Sequence, residues 1–143
     1  MLLRAMIKKM EESFPEIKFT VNEKDHLISV PAKHEDVGSV HIQDDFDELT
    51  VFVGNFTHWH VGCYEEGLNE QQKSDSIAED VSEFLSDLFN DKIVMWGGHK
   101  KGGGFYLKGE KPNSKSWLGA QHKEWVWSGP RNKGSGLAIM HLC

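Results

Sequence analysis

Leu2, Leu3, Met6, Ile7 and Met10 recur with helical period, and Phe14 extends the stripe. Pro15 stops it, so the pattern predicts an amphipathic helix over 2–13. From there the period drops to two. Residues 17–21 alternate apolar and polar, as do 26–30 up to Pro31, then 37–43, 48–53 and 56–61. The segments between them, 22–25, 44–47 and Gly54-Asn55, have turn composition. Successive strands joined by short turns pair antiparallel.

Residues 62–75 are polar and acidic, too poor in apolar side chains to predict a core element. Ser76 and Glu79 have the spacing of a capping box and predict a helix start. Ile77, Val81, Phe84, Leu85, Leu88 and Phe89 form its apolar stripe, with Asp80, Glu83 and Asp87 opposite. Asn90 or Asp91 ends it. A short apolar strand at 93–96, a Gly-rich basic loop at 97–104, a return strand at 105–107 and a further strand at 124–127 follow. The expectation is a single α+β domain spanning 1–143. It has one antiparallel sheet of six to eight strands, two helices packed on one face, and a flexible basic Gly-rich tail from about 129. The element order resembles that of small secretion-chaperone-like domains, a likeness that implies a fold and no function.

Charge changes this picture more than composition does. The chain of 143 residues has a formal net charge of −6, but residues 34–91 carry fifteen carboxylates against Lys73 alone, and residues 92–143 carry nine basic side chains against two acidic ones. The chain is therefore no uniformly basic nucleic-acid coat protein. With 38% hydrophobic residues and five Trp it is no disordered acidic tail either. No apolar run approaches the ~20 residues that span a bilayer, and the interrupted start lacks a signal-peptide core. Cys63 and Cys143 are too few and too far apart for a disulfide framework. A reduced cytoplasmic protein with no membrane partner is expected.

Four constellations carry candidate chemistry. In Thr57-His58-Trp59-His60-Val61-Gly62-Cys63, His58 and His60 fall on one face of a strand, at ~7 Å spacing, and are candidate ligands for one zinc ion. Cys63, His41 and the Asp44/Asp45/Asp47 turn are candidates for the third ligand, and the plainer reading is a solvated sheet face. No other cofactor is expected. The glycine-rich loop with Lys100 and Lys101 lacks the Gly-Lys-[Ser/Thr] ending of a phosphate loop, and no helix follows it. It is a hairpin loop with at most a weak anion site.

The third constellation is Trp96, Phe105, Tyr106, Trp117, Trp125 and Trp127 interleaved with basic residues, the make-up of a single-strand nucleic-acid platform. The acidic middle of the chain argues against that use. The fourth is the acidic segment itself. Glu66, Glu70, Asp80, Glu83 and Asp87 predict either a solvated helix face or a docking surface for a basic protein or a second copy. No carboxylate pair or serine stands in a catalytic frame, so no catalytic residue is assigned.

The stretch Glu48-Leu49-Thr50-Val51-Phe52-Val53-Gly54-Asn55-Phe56-Thr57-His58-Trp59-His60, with Glu79-Asp80-Val81 and Val94-Met95-Trp96 further on, resembles a group of small, mostly bacterial, uncharacterised proteins. In composition the chain is also similar to the immunity proteins of polymorphic toxin systems. Neither resemblance transfers a residue role. The leading expectation is a non-catalytic protein-binding module of immunity or adaptor type. The alternatives are a metal-binding protein or metal-dependent enzyme through His58 and His60, and single-stranded nucleic-acid binding through the Gly/Lys/Trp segment.

Overall fold

A computed structural model describes residues 2–54, 56–98, 102–108 and 124–131. Within them the elements run α1 (Leu2–Ser13), β1 (Thr20–Asn22), β2 (Leu27–Val30), β3 (Val40–Asp44), β4 (Glu48–Val53), β5 (Thr57–Gly62), α2 (Glu70–Phe89), β6 (Ile93–Gly98), β7 (Gly102–Leu107), β8 (Glu124–Val126) and β9 (Gly129–Arg131). The fold is α+β with antiparallel sheets. No helix among the described residues is long and apolar enough to cross a membrane.

The strands divide into two sheets, where the alternation alone suggested one. β1 to β5 form a meander in chain order, and the second sheet runs β7-β6-β8-β9. The two are joined by side chains instead of ladder hydrogen bonds. Trp59 of β5 meets Phe84 of α2 with ring centroids 4.8 Å apart, and Phe105 of β7 meets Phe84 at 5.1 Å. Such tilted and edge-on aromatic contacts add to area burial.

The period-two pattern sorts the first sheet. Ile28, Val30, Val40, Ile42, Leu49, Val51, Val53 and Val61 are buried against the helices. α1 adds Leu2, Leu3, Met6 and Met10, and α2 adds Ile77, Ala78, Val81, Phe84, Leu85 and Leu88. Each large side chain so buried contributes about 1.5–3 kcal/mol of transfer free energy. Phe89, partly buried, lies between Phe14, edge-on, and Trp127, tilted, each 5.3 Å away, and so ties the end of α1 and the β8–β9 turn to α2. Asp91, at φ 60°, accepts hydrogen bonds from the amide and hydroxyl of Ser128 and fixes the same turn.

Several expected boundaries differ: the strand expected over 17–21 is Thr20–Asn22 and that over 37–43 is Val40–Asp44. α2 starts at Glu70, a turn and a half before the Ser76 box, because Asn69 and Gln72 form the capping box that closes it. The Asn69 side chain accepts from the Gln72 amide at 2.8 Å, and the Gln72 side chain accepts from the Asn69 amide at 2.9 Å. Ser76 is interior. The glycine-rich stretch is mostly ladder: Trp96 pairs Gly104, Gly97 pairs Gly103 and Gly98 pairs Gly102, which leaves a three-residue connection where a long loop was expected. Lys100 and Lys101 lie in that connection, outside the described residues, as do Trp117 and the tail from 132. Residues 129–131, expected to open the tail, pair with β8.

Candidate functional site

β2 to β5 leave one sheet face turned away from the helices. Pairing register lays out two rows across it: Ser29, His41, Phe52 and His58 in one, Leu27, Gln43, Thr50 and His60 in the next. His58 and His60 share this face, as their spacing predicts. Their rings meet edge-on with centroids 5.1 Å apart, and His58 also lies 5.8 Å from the Phe52 ring.

His60 looks the other way for its hydrogen bonds. Its Nδ1 is 2.7 Å from Glu48 Oε2 and 2.9 Å from Thr50 Oγ1. The Thr50 hydroxyl, buried at 3% exposure, donates to Asp45 Oδ2 at 2.5 Å. Because that hydroxyl spends its one proton on Asp45, only lone pairs face His60. The imidazole therefore carries its hydrogen on Nδ1, shared between Glu48 and Thr50. The ligand atoms of Asp45, Glu48 and His60 all lie within 4.8 Å of one another, and this is the one such group of metal-ligating side chains among the described residues.

Local structure explains the convergence. Thr50 faces His60 directly across the β4–β5 ladder, and Glu48 faces Gly62. Gly62 sends nothing across the ladder, so the Glu48 side chain reaches the diagonal neighbour His60. Asp45 is carried in by the β3–β4 hairpin, where its amide donates to the Glu48 carbonyl at 2.9 Å and Phe46 turns at φ 77°. Sequence reading named Asp45 and His60 but missed Glu48 and Thr50. Counting outward from a two-residue Gly54-Asn55 turn puts Thr50 opposite Trp59; the connection spans 54–56, and that one-residue shift brings Thr50 opposite His60.

The other residues raised as third ligands do other things. Asp44 accepts from the amides of Leu3 at 3.0 Å and Phe46 at 2.7 Å, so it caps α1 and braces the hairpin. His41 is bonded through Nδ1 to the Ser29 hydroxyl at 2.8 Å. Asp47 is exposed at the hairpin tip. Cys63 is a free thiol in a shallow hollow with Phe46, Tyr64, Lys73 and Ile77.

The acidic residues form a second surface. Glu66 and Glu70 are exposed, and Glu70 sits in the first turn of α2, where the helix dipole favours a carboxylate. Asp80 and Glu83 are exposed and Asp87 is half-buried. Lys9 of α1 reaches α2 and pairs with Glu79 at 2.9 Å. That hydrogen bond, helped by the charges of Glu79, Glu12 and Glu83, holds the Lys9 ammonium above the ordinary lysine range against its partial burial. The same hydrogen bond and the Lys9 charge hold Glu79 below the ordinary carboxylate range. Asp80, Glu83 and Asp87 make no ion pair or side-chain hydrogen bond among the described residues.

Three of the aromatic residues named as a base-stacking platform pack within the fold. Trp127 is buried against Phe89, Trp125 packs on Phe56 at 4.8 Å, and Phe105 packs on Phe84. The chain matches no protein-family model, no curated protein and no solved structure.

Proposed function

We propose that this chain is a non-catalytic protein-binding module, of the immunity or adaptor type, that receives a basic partner on the acidic face of α2. The observation that carries the proposal is the trio Asp80, Glu83 and Asp87, which makes no ion pair among the described residues. The cation on the neighbouring helix that reaches α2, Lys9, is already taken by Glu79. Asp87 adds weight because it stands in the last turn of α2, a turn without any basic side chain. A carboxylate there opposes the helix dipole, so folding alone does not favour it. Charges of this kind raise association rates and select partners more than they add affinity.

The test compares the wild-type chain with an Asp80→Lys, Glu83→Lys, Asp87→Lys variant. Each is cross-linked in its native cell, and the captured protein is then purified and its association rate measured across a salt series. The proposal expects a partner of basic composition, captured by wild type and lost from the variant, with association that slows as salt rises. Salt-dependent self-association abolished by the same variant would make a second copy the partner. Equal capture by both chains, with an association rate indifferent to salt, would overturn the reading.

A further inference from the structure

The acidic helix face leaves the open side of the first sheet unused, and the one group of metal-ligating side chains among the described residues lies there. We propose that Asp45, Glu48 and His60 form a binding site for a single divalent transition-metal ion of the zinc class, with at least one coordination position open to solvent. This inference does not depend on the partner-binding reading.

The donor set is the first argument. One imidazole with two carboxylates combines a ligand type suited to zinc with the hard oxygens that neutralise a divalent charge. The second is rigidity. Glu48 and His60 project from paired strands, and Asp45 is held by the hairpin bond to the Glu48 backbone and by the buried Thr50 hydroxyl. Thr50 is the kind of orienting neighbour that a metal-ligating carboxylate uses. The third is distance. Ligands ~2.0–2.2 Å from a tetrahedral zinc are ~3.4 Å apart. Glu48 and His60, hydrogen-bonded at 2.7 Å, have to open by about 0.7 Å to reach that spacing, and the whole set already lies within 4.8 Å. The His60 side chain is 54% exposed, which leaves the solvent side of the ion for water or a further ligand.

The hydrogen on His60 Nδ1 bridges to Glu48, and an ion bound at that nitrogen takes its place while the neutral imidazole keeps its one hydrogen on Nε2. His58 lies outside the set and packs on Phe52, so the ligand pair read from the strand spacing becomes one histidine and two carboxylates.

The experiment titrates the full chain, stripped with chelator and dialysed, with zinc chloride by calorimetry, with bound zinc counted by elemental analysis. One zinc per chain is expected. His60→Ala and Glu48→Gln should each weaken binding about tenfold or more, while His58→Ala and Cys63→Ser stay within about threefold of wild type. Glu48→Gln is near-isosteric, so it serves if His60→Ala does not fold. Absence of binding by the wild type, or binding indifferent to Glu48→Gln, overturns the site. Equal loss in His58→Ala overturns this ligand set in favour of the histidine pair, and loss in Cys63→Ser in favour of the thiol.

Discussion

Replacing Asp87 by lysine should stabilise the fold while weakening the proposed capture of a basic partner. Asp87 is the third residue from the end of α2, whose last carbonyls carry the negative end of the helix dipole, and no basic side chain stands in that turn. A carboxylate there costs about 0.3–1 kcal/mol and a cation gains a similar amount. Glu83, four residues earlier, repels Asp87 by about 0.2–0.5 kcal/mol and would attract a lysine by as much, in the favoured order of acid before base. These contributions sum to a swing of about 1–3 kcal/mol, and the half-exposed position and salt screening bring it to about 1 kcal/mol. Urea unfolding at low salt should show the midpoint of Asp87→Lys rising with an unchanged slope, a gain equivalent to about 2–4 °C in Tm. The gain should shrink in high salt, and Asp87→Asn should yield about half of it. A midpoint that stays or falls at low salt, with the same slope, would refute the reasoning. It would show that the carboxylate is not opposed by the helix end, and it would remove the argument that the acidic face is kept at a cost in stability.

Three further outcomes are expected. Gly54→Ala should destabilise by about 3 kcal/mol or more in urea unfolding, since φ is +53° and a Cβ would sit 1.7 Å from the Val37 carbonyl oxygen. Asp44→Ala should cost about 1–2 kcal/mol and speed hydrogen exchange at the Leu3 and Phe46 amides, because both lose their acceptor. The Lys9–Glu79 pair sets a pH window: Glu79 is held below 4.5 and Lys9 above 10.5, so the pair's contribution is full between those values. It is lost as pH falls through the folded Glu79 value or rises through that of Lys9. The stability gap between wild type and Glu79→Gln should be flat from about pH 6 to about pH 9 and close in acid; a gap that widens in acid would contradict the pairing.

Much of the fold was legible because its core obeys local periods. The α1 stripe and the β4 alternation appear in the structure within the predicted bounds, Leu2–Ser13 and Glu48–Val53. α2 was misread at its start because a polar first turn carries no apolar stripe, and an Asn–Gln capping box is a weaker signal than Ser–Glu. The glycine stretch was misread because glycine is the residue of loops, and only pairing with a partner strand keeps it extended. Within the metal cluster, period two placed His58 and His60 on one face. It said nothing of which neighbour each would meet.

By itself the sequence determined the element types, the inward and outward faces, and the separation of an acidic middle from a basic end, since each depends on residues adjacent along the chain or one turn apart. The tertiary structure alone decided that the strands form two sheets joined by Trp59, Phe84 and Phe105. It alone gave Lys9 to Glu79 and left Asp80, Glu83 and Asp87 without an ion pair among the described residues, and it alone brought His60 to Glu48 and Asp45. Strand register and helix docking set these relations between residues distant in sequence, and hydrogen bonds and ion pairs form only where register and docking bring the partners within about 3 Å.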